Sequence, residues 1–197
     1  MMMMSYSMRM EELAKQWVAN CKFEHPDPTK HPLYKGIGQN LALTGGYTPT
    51  LTRMAQGWYN ERHNYTYANN SCTAVCGHYT QMVWATSVGP GCAKKQCDHI
   101  QPNWPKPVFL MACQYEPAGN FWNRKPYEQG DRCSKCPVGF LCTHRQCTNK
   151  TTTSPSTSTT ASTPANHTEQ TTSIVVIPRA RGLMVFAMFL VQSYVKA

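Results

Sequence analysis

Ten cysteines, at positions 21, 72, 76, 92, 97, 113, 133, 136, 142 and 147, constrain this 197-residue chain more than any other feature. The number is even. Asn-x-Ser/Thr sequons accompany it at Asn64, Asn69, Asn149 and Asn166. Together they predict an oxidising, secretory route and a fold held by cross-links. Asn64 and Asn69 flank a polar stretch before Cys72, as a surface loop would. Four of the cysteines fall between Arg132 and Cys147 with little apolar material around them, so that segment needs cross-links to hold a shape. In a reducing compartment the same spacing, Cys133-x2-Cys136-x5-Cys142-x4-Cys147, would read as a zinc site. The N-terminus points that way too: Met1 to Met10 holds no seven-residue apolar run and no signal peptide. The rest of the framework favours secretion.

The length allows one domain plus a tail, and about 130 residues suffice to bury a single core. The formal charge is +9, but Lys and Arg are scattered, with adjacent pairs only at Lys94-Lys95 and Arg124-Lys125. A scattered pattern excludes a nucleic-acid-binding face and reads as a solvated basic surface. Such a surface still suits anionic glycans or lipid headgroups.

Glu11 to Cys21 predicts an amphipathic helix, with Leu13, Trp17, Val18 and Cys21 on one face. Glu24 to Lys35 is a proline-rich loop. Pro49 suits a first helical turn, and Leu51, Met54, Ala55, Trp58 and Tyr59 follow at helical spacing. Gly77 to Ala85 fits a helix or a strand. Gly91 to Cys97 and Pro107 to Tyr115 predict strands, the second an apolar run. Thr151 to Ser173 contains fifteen Ser or Thr among 23 residues and reads as a disordered stalk open to O-glycosylation. Leu183 to Val195 is mostly apolar, but its thirteen residues fall short of the ~20 that span a bilayer. A glycolipid-anchor signal, a span and an unanchored tail all remain open, so membrane association through this tail is one expectation.

Glu61 carries a clue of its own. It lies seven residues after Met54, about 20° away around a continuing helix. Trp58 shares that side. A carboxylate is therefore aimed along an apolar face, where it needs a partner. The competing reading is a frayed helix end with Glu61 in solvent beside Arg62.

Three motifs occur in order: Gly38-Gln39-Asn40-Leu41, Gly77-His78-Tyr79-Thr80-Gln81-Met82-Val83-Trp84, and Cys113-Gln114-Tyr115-Glu116-Pro117-Ala118-Gly119-Asn120-Phe121. They resemble the signatures of the CAP superfamily (cysteine-rich secretory, antigen 5 and pathogenesis-related proteins). Gln39 stands where the family has Glu. Cys72-x-x-x-Cys76-Gly-His-Tyr is most similar to the glioma pathogenesis-related branch. The resemblance covers roughly Met10 to Cys147. It implies an α+β fold, an α-β-α sandwich with a small antiparallel sheet, over residues 1–128. A disulfide-rich hinge over 129–148 follows, then the stalk over 149–182 and the apolar tail over 183–197. It further implies that the family's first helix, with its histidine, is missing, so that apolar surface near Trp17 and Trp84 is uncovered. The pairings it implies are Cys21–Cys97, Cys92–Cys113, Cys72–Cys76, Cys133–Cys142 and Cys136–Cys147.

For the site, the resemblance implies a cleft containing His78, Glu61 and Gln39, with Asn40 and Gln81 beside it. His78 and Glu61 are the metal-ligand candidates. Two protein ligands and an amide oxygen make an incomplete zinc shell, so only weak divalent binding is expected and no resident cofactor. Read without the family, His78, Tyr79, Gln81 and Trp84 are ordinary interior residues, Gln81 bonding backbone and Asn40 fixing a loop. No Gly-x-Ser-x-Gly elbow, free thiolate or oxyanion donor is present, so no catalytic residue is assigned. The expectation is an extracellular or surface-anchored, monomeric, non-enzymatic interaction module for sterol, lipid or a protein partner. A metal-assisted hydrolase using Glu61 and His78 is the alternative.

Overall fold

The computed structural model describes residues 1–149. The Ser/Thr-rich stretch Thr151 to Ser173, the apolar tail and the sequon at Asn166 lie outside the described residues. None of the described helices is long and apolar enough to cross a membrane.

Helix α1 spans Met8–Ala19. It begins three residues before the periodicity suggested because the Ser7 hydroxyl accepts the Met10 N–H at 3.3 Å and caps the first turn. It ends where Cys21 adopts a left-handed φ of 49°. Strand β1 is Gly38–Gly45, helix α2 Leu51–Asn60, and a short hairpin joins β2 (Tyr65–Thr66) to β3 (Ser71–Cys72). The Thr50 hydroxyl caps α2 by accepting the Arg53 N–H at 3.1 Å. Helix α3 is Gly77–Met82, followed by β4 (Gly89–Gln96) and β5 (Val108–Glu116). The hairpin β6 (Phe140–Thr143) and β7 (Gln146–Asn149) closes the described chain.

The main sheet is antiparallel, in the order β1-β5-β4. Residues Val108 to Tyr115 of the central strand are all buried. That explains the unbroken apolar run in a strand covered on both faces. Side-chain alternation divides the interior in two. Leu110 and Ala112, with Leu41 and Ala93, pack against Met10, Leu13, Ala14, Trp17 and Val18 of α1. Phe109, Met111, Cys113 and Tyr115 face Met54 and Trp58 of α2. The layers are therefore helix, sheet, helix. At Gly91 a Cβ would stand 2.2 Å from the Glu11 nitrogen and 2.5 Å from the Ser7 oxygen, so only glycine lets α1 lie this close to β4.

The uncovered surface expected near Trp17 and Trp84 is not found. Both indoles are buried. Trp17 packs edge-on to His31 and Tyr34, at 5.3 and 5.4 Å between centroids, and donates Nε1–H to the Glu24 carbonyl at 3.0 Å. Trp84 packs edge-on to Phe121. The proline-rich loop and the segment after β5 supply the cover.

Disulfides join Cys21 to Cys97, Cys72 to Cys76, Cys92 to Cys113, Cys133 to Cys142 and Cys136 to Cys147. No cysteine is free among the described residues. The last two cross-link the hairpin segment, whose Cys147 is also bonded to the N-terminal residues: its N–H donates to the Met1 carbonyl and its carbonyl accepts from Met3, each at 2.9 Å.

Candidate functional site

Glu61 caps the end of α2 and opens a 3-10 turn over Glu61–His63. Its side chain is not in solvent beside Arg62; Glu61 is 9% exposed. Oε2 accepts the backbone N–H groups of His78 and Tyr79, at 3.0 and 3.2 Å, and Oε1 lies 2.6 Å from His78 Nδ1. Cys76 supplies no side-chain cap to α3, so the carboxylate from the neighbouring helix satisfies the first N–H groups instead. A carboxylate can only accept here, so Nδ1 carries the proton and Nε2 is the open nitrogen of the imidazole. The ring stacks on Trp58 at 5.8 Å and 15° between planes. Trp58 in turn donates Nε1–H to the Leu41 carbonyl at 3.2 Å.

Asn40 belongs to β1 and is 1% exposed, which corrects the expectation of a loop residue. Its Nδ2 donates to the His78 carbonyl at 3.0 Å and to the Tyr115 hydroxyl at 3.2 Å, tying the sheet to α3. Burial pushes the Tyr115 phenol far up, so it stays protonated. Gln81 is 2% exposed: its Oε1 accepts the Gly119 N–H at 2.9 Å and its Nε2 donates to Ser87 Oγ at 3.0 Å.

Gln39 has a different partner. It follows Gly38 and precedes Asn40 in β1, so its side chain leaves the strand on the opposite side from Asn40. Gln39 Oε1 lies 2.8 Å from Nδ1 of His25, a residue the sequence reading passed over. His25 sits in the proline-rich loop, where no periodicity marks it; the pairing of β1 with β5 brings Gln39 to it. A histidine within this chain thus meets Gln39, where the resemblance implied one upstream. His25 and Gln39 line a groove of about 360 Å³ whose other walls include Pro26, Pro28, Tyr34 and Ile37, with Gln81 and Asn120 at its edge.

The structure therefore assembles two pairs, Glu61 with His78 and Gln39 with His25. Among the described residues no hydrogen bond joins them, and no group of three or more His, Cys, Asp or Glu is placed to hold a metal. Both carboxylate oxygens of Glu61 are already engaged by donors. The donor set does not fit a resident zinc ion, which wants three or four free ligands.

Of the sequons, Asn69 is exposed and accepts from Ser71 Oγ at 2.8 Å. Asn64 is half-buried and donates to the Val75 carbonyl at 2.8 Å, and Asn149 lies exposed at the end of β7.

A helix–sheet–helix core bearing a Glu–His brace and a groove at the first strand defines a CAP-type domain. The model of the cysteine-rich secretory protein family, CAP, matches residues 1–115, and the chain belongs to that family. It is 40% identical over 154 residues to GLIPR1-like protein 1 of Bos taurus, covering 75% of this chain and 61% of that one. It is 35% identical over 154 residues to glioma pathogenesis-related protein 1 of Mus musculus, covering 76% and 56%. The chain thus spans about three-fifths of the length of these relatives. Among solved structures it is similar to Na-ASP-1, with a TM-score of 0.61 and 27% identity over 75% of this chain and 38% of that one. It also resembles NaASP2 with Zn2+, with a TM-score of 0.54 and 29% identity over 68% and 71%.

Proposed function

We propose that this protein is a secreted, non-enzymatic CAP-domain interaction module that takes an amphipathic lipid, of sterol or fatty-acid type, in the groove beside β1. Pro26, Pro28 and Ile37 offer apolar walls, and the His25–Gln39 pair and Asn120 offer polar groups for a headgroup. Five disulfides support an extracellular setting. The exposed Asn69 is the sequon best placed to carry a glycan.

One observation carries the non-enzymatic reading: the engagement of both Glu61 carboxylate oxygens by two backbone N–H groups and the His78 ring. A carboxylate so engaged is a brace between helices, with two backbone donors on Oε2 and the His78 ring on Oε1. Among the described residues no hydroxyl or thiol is hydrogen-bonded to the His78 ring, whose partner is Glu61. The hydrolase alternative is not favoured on that ground, and among the described residues no group of three or more His, Cys, Asp or Glu is placed to hold a metal for it.

Binding of a fluorescent fatty acid and a fluorescent sterol tests the proposal. Ala118→Trp is chosen to fill the groove, because Ala118 lines it together with Gly38 and Gly119. Loss of at least roughly tenfold in affinity is expected, the scale of a blocked apolar contact. No binding of either lipid by the wild-type protein, or equal binding by the variant, rejects the assignment.

A further inference from the structure

Residues 120–127 form a loop fixed at both ends and free in the middle. At one end Asn120 Oδ1 accepts from the Thr80 hydroxyl and its Nδ2 donates to the Gly77 carbonyl, both at 2.7 Å. The Phe121 ring packs against Trp84 at 5.8 Å. At the other end the Ala85 N–H donates to the Pro126 carbonyl at 2.7 Å, and the Tyr67 hydroxyl donates to the Tyr127 carbonyl at 3.0 Å. Between them Asn120 and Asn123 take left-handed φ values of 55° and 54°, and the Arg124 N–H closes a turn on the Phe121 carbonyl at 3.1 Å. Held this way, Trp122 is 96% exposed and Phe121 is 51% exposed. Trp17, Trp58 and Trp84 are buried.

The charges beside this ring are unpaired. The Arg124 guanidinium lies 5.9 Å from the Phe121 ring centroid. Lys125 Nζ stands 4.3 Å over the Tyr67 ring and donates to the Ala68 carbonyl at 3.1 Å. Neither meets a carboxylate among the described residues, and the nearby Glu128 is paired with Lys135. A loop fixed at both ends, offering a bare indole followed by two cations that meet no carboxylate among the described residues, matches the membrane–water interface, where amphipathic rings sit at headgroup level and Lys or Arg meets phosphate.

We propose that the 120–127 loop is a membrane contact that seats Trp122 and Phe121 in the headgroup layer of a bilayer rich in anionic lipid, with Arg124 and Lys125 on the lipid phosphates. Protein docking is the less supported occupant, because a stable interface needs about 1,200–2,000 Å² in total, well beyond one loop. The chain's formal charge of +9 adds long-range attraction toward the same surface. The proposal uses none of the groove residues His25, Gln39 or Ile37 and stands or falls apart from the lipid assignment there.

The test is co-sedimentation of the full chain with phosphatidylcholine vesicles, with and without phosphatidylserine. Phosphatidylserine-dependent binding that weakens with salt is expected. Trp122→Ala, fully exposed and so neutral to folding, should weaken binding severalfold. The double variant Arg124→Glu/Lys125→Glu should lose at least roughly tenfold, at about a factor of five per charge. Brominated lipid should quench the fluorescence of the wild-type protein but not of Trp122→Phe. Binding that is equal in all variants, as attachment through the C-terminal apolar segment would give, overturns the proposal. So does the absence of vesicle binding with Trp122 still open to aqueous iodide, which would leave the loop to a protein partner.

Discussion

The carboxylate of Glu61 ends one helix and starts another, and its three hydrogen bonds set the expected cost of losing it. Glu61→Ala leaves the His78 and Tyr79 N–H groups and the His78 ring nitrogen without a partner in a site where Glu61 is 9% exposed. A loss of about 2–4 kcal/mol in unfolding free energy is expected by urea titration. Glu61→Gln should recover part of it, since an amide oxygen still accepts. Asp98 gives a second test, in pH. The backbone N–H of Val108, at 2.7 Å, and then the Gln96 side chain hold its carboxyl below the usual range. A folded pKa below the unfolded one adds stability that is present at neutral pH and is lost as pH falls through the carboxylate range. Asp98→Asn should therefore lower the melting temperature at pH 7 and narrow the drop between pH 7 and pH 3. An unchanged drop would place the acid sensitivity elsewhere. Glu61 was legible in the sequence because its spacing from Met54 needs only helical geometry. His25 was not, because its meeting with Gln39 depends on strand pairing far along the chain.

Among the elements, those with a strong local period were the readable ones. Leu51, Met54 and Trp58 repeat at helical spacing, and Val108 to Met111 is a short apolar run after Pro107, a strand candidate that β5 matches. Strand β1 was not expected. Gln39, Asn40 and Thr44 dilute its apolar pattern, and it owes its strand character to its register with β5, from Gly38 opposite Tyr115 to Gly45 opposite Val108. The two-residue strands β2 and β3 carry no period at all. Cross-links matter most where an element has few other ties. Cys21 and Cys97, 76 residues apart in sequence, fasten the end of α1 beside the end of β4. Replacing both by Ser should cost about 2–5 kcal/mol, measured by denaturant unfolding of non-reduced protein. A smaller effect would mean that packing of Trp17 and Val18 already fixes that end.

At the scale of the molecule, the three layers place two polar pairs and a groove around one end of the sheet. The motifs announced the layers through resemblance, while the division of labour between the pairs came from geometry. Glu61 and His78 brace α2 against α3, and the groove by His25 and Gln39 is the place of the proposed ligand. If the brace were instead half of a metal centre, zinc would bind through Nε2 of His78, with Glu61 still on Nδ1. Titration calorimetry with zinc, run on the wild-type protein and on His78→Ala, distinguishes the two most directly. Weak binding that is little changed by His78→Ala is the expected result, because two protein ligands cannot complete a zinc shell. Submicromolar binding that vanishes in His78→Ala would contradict the brace and restore the hydrolase reading.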